Sequence, residues 1–270
     1  MIYRILRFPE TTIVYGLSNI PKEFICIFDH MFGSYLDQCH AHHEYCDIII
    51  WTDNKTYIAF FNATHALRRR ESFSSLISLT LNEIITIKSN ESSSLLHAGV
   101  CECNGKTIVL IGNKGAGKTT ALLYLISKGG TYLGDELVVV NSKGIIPYCL
   151  PLRISAQSVN WMKSNYSSFL DSIALQHSIS TDKYIIYPSD LKHRIISSAI
   201  IPDVLLFLVN DNKNINNYSS NNTLQSLFGH SRTIVSSTSI LPLLNLSRTP
   251  AYYLPREDRF STILRIIASH

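Results

Sequence analysis

Gly112-Asn113-Lys114-Gly115-Ala116-Gly117-Lys118-Thr119 has the spacing G-x-x-x-x-G-K-[ST]. Glycines at those positions let backbone N–H groups turn inward around anionic oxygens, and the start of a following helix adds its positive end. A lysine in the seventh place reaches the β- and γ-phosphates of a nucleoside triphosphate, and the hydroxyl of Thr119, followed by Thr120, faces a hard divalent cation. A second chemical feature lies downstream. Asp135 and Glu136 are adjacent carboxylates, a costly pairing unless a cation shares them. Mg²⁺ and Lys118 would do so; one acid then holds the metal while the other takes a proton from an attacking hydroxyl. His97 is the third candidate, although a single histidine serves structure as readily as chemistry.

These residues need elements to carry them. Thr107–Ile111 is a short apolar run that reads as the strand delivering the glycine loop. Thr120–Lys128 has helical composition and stops at Gly129-Gly130. Ala98–Cys103 reads as a strand that pairs with the loop strand across the tight Asn104-Gly105 turn, which brings His97 toward the loop end. Thr131–Leu133 is expected to run next to the loop strand and to end in Gly134-Asp135-Glu136, ahead of another strand at Leu137–Val140. The stretch 203–209 reads as a further strand, followed by an Asn- and Ser-rich loop over 210–222.

Residues 1–90 read as a separate α+β unit. Thr11–Tyr15 is an expected strand, Lys22–Leu36 a helix, and Cys46–Thr52 with Thr56–Phe61 a hairpin around residues 53–55. The repeat of Phe73, Leu76, Ile77, Leu79, Leu81, Ile84 and Ile85 predicts an amphipathic helix over 72–88. A polar seam at 89–94 separates this unit from residues 91–270.

Composition bounds the function. With 46% hydrophobic and 16% charged residues in a chain of 270, the protein is globular. A formal charge of +4 does not mark a nucleic-acid binder, and Arg68, Arg69 and Arg70 read as a solvated helix or loop end. No run of about 18 apolar residues exists, so no membrane span is expected. The charged first residues do not make a signal peptide, and the six scattered cysteines imply no disulfide framework, so a cytoplasmic location is expected. Cys39-His40-Ala41-His42-His43-Glu44-Tyr45-Cys46 packs six residues able to bind metal into eight positions. A second ligand pair of the usual zinc kind is missing downstream, and a His-rich loop ending at a buried cysteine explains the run equally well.

Taken together, the run Leu96-His97-Ala98-Gly99-Val100, then Asn104-Gly105-Lys106, then Gly112–Thr119, then Lys128–Val138 resembles the HPr kinase/phosphorylase family and its shorter bacterial relatives, including kinases of lasso-peptide precursors. Later segments agree more loosely: 147–155 with Arg153, 184–190 with Pro188, the strand at 203–209, and 249–254 with a helix after it. The resemblance covers about residues 92–270. It implies a P-loop kinase domain on a mixed sheet, ATP and Mg²⁺ as cofactors, and transfer of the γ-phosphoryl group to a serine hydroxyl of a peptide or small protein. By position it implies Asp135 as general base, Glu136 and Thr119 toward Mg²⁺, His97 beside the transferred group, and Lys118 on the phosphates. Gly112 to Thr120 would form the nucleotide cradle. The Glu-x-Arg-Gly-x-Gly signature of the founding enzymes has no match here, which counts against HPr as acceptor and against the reverse reaction.

Rival classes are judged on their own residues. A GTPase needs Asn-Lys-x-Asp, and Asn210-Asp211-Asn212-Lys213 has the wrong order; the Leu-Ser-Gly-Gly of transporter ATPases is absent. A small-molecule kinase for sugars or nucleosides stays open, because the acidic pair would serve such a hydroxyl as well. A peptide acceptor wants an open groove flanked by mobile segments, for which 156–183 and 210–223 are the candidates; a small acceptor wants a closed pocket. A non-catalytic, nucleotide-gated binding protein is the third class. The expectation is an α/β protein with a kinase domain at 91–270 and a substrate or assembly domain at 1–90, the latter compatible with a homo-oligomer.

Overall fold

The structure, a computed structural model, describes residues 1–9, 11–37, 45–53, 56–88, 93–177, 183–209, 219–231, 240–256 and 259–269. Most of the Cys39–Cys46 cluster, the tip of the 53–55 turn, most of the 89–94 seam and residues 210–218 lie outside these. The chain divides into two compact units, Met1–Asn90 and Glu91–His270.

In the first unit, β1 (Ile2–Arg7), β2 (Thr12–Ser18), β3 (Ile48–Asp53), β4 (Thr56–Phe61) and β5 (Ala66–Arg70) form one sheet in sequence order. Only β2 and β3 pair parallel, which requires a crossover, and α1 (Lys22–Phe32) lies in it. The helix ends at Phe32, short of the expected Leu36. It buries Ile25, Phe28, Met31 and Phe32, with Phe28 edge-on to Tyr15 at 5.1 Å. α2 (Phe73–Lys88) closes the unit against β4 and β5. Arg68, Arg69 and Arg70 are not a helix or loop end. They belong to β5, where Arg68 is half-buried and reaches back to Glu83 of α2 while Arg69 and Arg70 are exposed.

The second unit is built on a sheet ordered β16-β15-β8-β7-β9. Its members are β7 (Ala98–Cys103), β8 (Lys106–Gly112), β9 (Thr131–Gly134), β15 (Val204–Leu208) and β16 (Ala251–Leu254). The strands β8, β15 and β16 run parallel. Ile108–Ile111 of β8 and all of β15 are uninterrupted Val, Ile, Leu or Phe, as strands covered on both faces are, whereas β16, at the edge, is Ala-Tyr-Tyr-Leu with its tyrosines half-buried. β7 joins antiparallel through the Asn104-Gly105 hairpin. That hairpin takes the place beside β8, so β9 pairs with β7 and is not the neighbour of the loop strand that its sequence position suggests.

Two smaller sheets complete the unit. One is β11 (Gly144–Pro147), β10 (Val138–Asn141) and β6 (Ser94–Leu96); the other is β12 (Leu152–Ser155), β14 (Lys183–Ile186) and β13 (Gln176–His177). α3 (Lys118–Ser127) packs on β7 and β8, with Leu122, Leu123 and Leu125 fully buried, each worth about 1.5–3 kcal/mol. α4 (Ala156–Asp171), capped by Ser155 and interrupted at Tyr166, occupies most of a stretch expected to be mobile. α5 (Ser220–His230), α6 (Ile240–Leu246) and α7 (Arg259–Ser269) follow. The core runs through Val100, Val109, Ile111, Val138, Leu205 and Phe207.

Candidate functional site

The glycine loop leaves β8 at Gly112, which stands opposite Leu208 in the parallel ladder, and enters α3 at Lys118. This is the carboxyl end of the parallel strands, where open α/β sheets leave a crevice. Asn113, Lys114 and Gly115 form the exposed crest, and the Ala116 N–H donates to the Asn113 carbonyl at 3.0 Å to close the turn. Gly117 is the helix cap at φ 89°, a left-handed conformation in which a side chain would be strained by about 1–2 kcal/mol. No side chain caps the helix there. Its first N–H groups, which have no acceptors within the helix, face the loop.

Lys118 is buried to 6% exposure, and its ammonium donates to the carbonyls of Gly112 at 2.7 Å and Asn113 at 3.4 Å. Thr119 donates its hydroxyl to Asp135 Oδ2 at 2.9 Å, so the acid that follows β9 meets the helix that opens after the loop. Gly99 of β7 makes the space: a Cβ there would stand 3.2 Å from Asp135 Oδ1. Asp135 is 2% exposed and also accepts the Glu136 N–H at 2.9 Å. Burial first, and the charge of Glu136 second, push its carboxyl up to about 7, against the hydrogen bonds from Thr119 and the Glu136 amide and the charge of Lys118.

Glu136 adopts φ 73°, an uncommon conformation for a residue with a side chain. Its Oε2 lies 3.3 Å from His97 Nδ1, which sits at the joint between β6 and β7. The sequence-expected residues Lys118, Thr119, Asp135, Glu136 and His97 thus form one chain of contacts and charges around the loop. Thr120 turns elsewhere: its hydroxyl bonds Ser158 of α4 at 2.9 Å.

Three further residues carry weak or no sequence signals. Arg153 of β12 is mostly buried, and desolvation lowers its guanidinium while the charge of Glu136 opposes the shift. His230, at the end of α5, is held below its ordinary range by burial and by the charge of Lys118, and its carbonyl accepts the His97 N–H at 3.5 Å. Arg259 of α7 donates to the Ala116 carbonyl inside the loop, from 143 residues downstream. Ser158 had a local signal in Ser155-x-x-Ser158. A lone arginine or histidine at such a distance has none.

An uncapped helix start, a buried ammonium and a hydroxyl held by a carboxylate suit a polyanion with a hard cation. Among the described residues no three His, Cys, Asp or Glu side chains form a cage for a metal. No helix among the described residues is long and apolar enough to cross a membrane.

The fold is a mixed α/β one, with parallel and antiparallel sheets around a strand–glycine loop–helix. No family model matches the chain, and no curated protein matches it. Among solved structures the chain is similar to the HPr(Ser) kinase/phosphatase of Coxiella burnetii, at 12% identity over 65% of this chain and 95% of that one, with a TM-score of 0.35. A likeness so slight carries no weight for the site.

Proposed function

We propose that residues 91–270 form an ATP- and Mg²⁺-dependent kinase that transfers the γ-phosphoryl group to a serine-type hydroxyl of a peptide or small protein. The supporting observation is the 2.9 Å hydrogen bond from Thr119 to Asp135 beside the buried Lys118. It joins the residues a phosphate loop needs to an acid capable of proton transfer. In this reading the N–H groups of the loop and of the first turn of α3 bind the phosphate oxygens, and Lys118 leaves the Gly112 carbonyl for them. Thr119 and Glu136 would hold Mg²⁺, which when bound would neutralise charge on the phosphate oxygens. Asp135, with its carboxyl near 7, is matched to neutral pH as the base that takes the acceptor proton. His97 steadies Glu136 and faces the transferred group. Residues 1–90 serve the acceptor or assembly of a homo-oligomer, in the cytoplasm.

A second division of roles is favoured by exposure. Asp135 is sealed in and already serves Thr119, whereas the Glu136 side chain is 45% exposed and reaches His97. The buried acid would then serve the metal-bound hydroxyl and the Glu136–His97 pair the acceptor. Asp135→Asn and Glu136→Gln separate the two. The base is the residue whose loss removes turnover while leaving Mg²⁺-dependent ATP binding intact.

The test of the function is mass spectrometry of candidate peptides encoded beside this gene, after incubation with γ-labelled ATP and Mg²⁺. One phosphate on a serine is the expected result. Transfer to sugars or nucleosides alone would replace the acceptor, and ATP binding without transfer to any acceptor would leave a nucleotide-gated binding protein.

A further inference from the structure

Arg259 is 5% exposed, and its four hydrogen-bond partners among the described residues are all backbone carbonyls. It bonds Ala116 in the glycine loop, Val209 just past β15 at 2.8 Å, Leu254 at the end of β16 at 3.4 Å and Pro255 at 3.2 Å. Because β8, β15 and β16 run parallel, those carbonyls stand at the carboxyl ends of three adjacent strands. One guanidinium gathers them at the edge from which the loop rises.

The bond to Ala116 has a consequence fixed by covalent geometry. A trans peptide is planar, with its C=O and N–H pointing opposite ways. Drawing the Ala116 carbonyl onto the guanidinium therefore turns the Gly117 N–H to the opposite side of that peptide, away from Arg259. The neighbouring groups are already committed: the Ala116 N–H closes the turn onto Asn113, and the Gly117 carbonyl accepts the Ala121 N–H as the first bond of α3. A Cβ on Gly117 would stand 3.0 Å from Arg259 Nη1, so the cation sits directly against this peptide. Arg256 adds a second positive charge that bears on Arg259, a repulsion that an anion in the loop would relieve.

Resting on the reading of the loop as a triphosphate site, we infer that Arg259 is a positioning residue. It holds the 116–117 peptide in the anion-binding orientation before any ligand arrives. Only arginine presents donors in a rigid fork wide enough for several carbonyls; lysine keeps the charge and loses the fork.

The experiment measures dissociation constants for inorganic tripolyphosphate and for ATP with Mg²⁺ by calorimetry, well below the melting transition. It uses full-length wild type, Arg259→Met, Arg259→Lys and Ile263→Ala. Ile263 is a fully buried apolar residue of the same helix and has no polar side-chain atom to offer the loop, so its truncation serves as the control for a general loosening of α7. Arg259→Met is expected to weaken both ligands by about ten- to hundredfold, the usual effect of losing a charge-assisted hydrogen bond. Arg259→Lys recovers part of that loss, and Ile263→Ala melts earlier but binds as wild type does. Unchanged tripolyphosphate affinity in Arg259→Met overturns the inference, as does an equal loss in Ile263→Ala. Should Arg259→Met not fold, Arg259→Lys carries the test, and affinity equal to wild type there overturns it too. Wild-type protein that binds neither ligand sinks the reading of the loop itself.

Discussion

Replacing Asp135 by Asn should change stability in a way that depends on pH. The folded chain holds this carboxyl at about 7 against 3.8 for a free aspartate, so between those values the native state binds a proton that the unfolded chain has released. Stability at this site is therefore highest below about pH 4 and falls as pH rises to 7. At 1.36 kcal/mol per pH unit, the shift from 3.8 to about 7 costs on the order of 4 kcal/mol at pH 8 and roughly 1–2 kcal/mol at pH 5. Asparagine carries no such charge. It can accept the Glu136 N–H through Oδ1 and donate to Thr119 through Nδ2, with an imperfect fit costing roughly 1 kcal/mol at either pH. Without nucleotide or metal, the variant gains roughly 2–3 kcal/mol on wild type between pH 5 and pH 8. Urea unfolding in EDTA measures this. A Trp51→Phe background leaves Trp161, the other of the two tryptophans, to report on the second unit alone. An offset that is the same at both pH values would refute the burial argument. With ATP and Mg²⁺ present, the same variant should bind nucleotide yet turn over at least about a hundredfold more slowly if Asp135 is the base.

Other expectations follow from single contacts. Lys118→Ala should weaken triphosphate binding by about ten- to hundredfold, read by calorimetry. Gly117→Ala forces a side chain into φ 89° and toward Arg259. It should lower the melting temperature and abolish stabilisation by MgATP in the same thermal scan. In wild type, ATP with Mg²⁺ at a hundred times its dissociation constant should add about 2.7 kcal/mol of stability, and chelating the metal should remove most of it. Arg68→Ala, which loses a part-exposed ion pair with Glu83, should change stability by less than about 1 kcal/mol in urea unfolding.

The strand–loop–helix over 106–127 was readable because its signals are local: a β-rich apolar run, glycines at fixed offsets, and a Gly129 stop. The placing of β9 was not. Which strand flanks β8 depends on the Asn104-Gly105 hairpin folding back first, a competition between elements that no window of sequence contains. α4 was hidden for another reason. Asn, Ser, Gln and Lys along its surface imitate a loop, and only its buried Val159, Met162 and Leu170 betray a core face. Arg68–Arg70 looked like a solvated end because charge runs usually are; pairing of β5 with β4 overrode that composition. In the site, the contact between Asp135 and Thr119 could be anticipated from motif order. The exposure that sets Asp135 apart from Glu136 could not, since both follow the same strand.

The Arg259 contact also has a temporal side. The ribosome makes Ala116 first and its guanidinium clamp 143 residues later, which at 5–20 residues per second is a delay of roughly 7–30 seconds. A nascent chain carrying a complete glycine motif therefore lacks the side chain that orients it. On the proposed reading of the loop, the half-made chain would bind polyphosphates more weakly than the finished one.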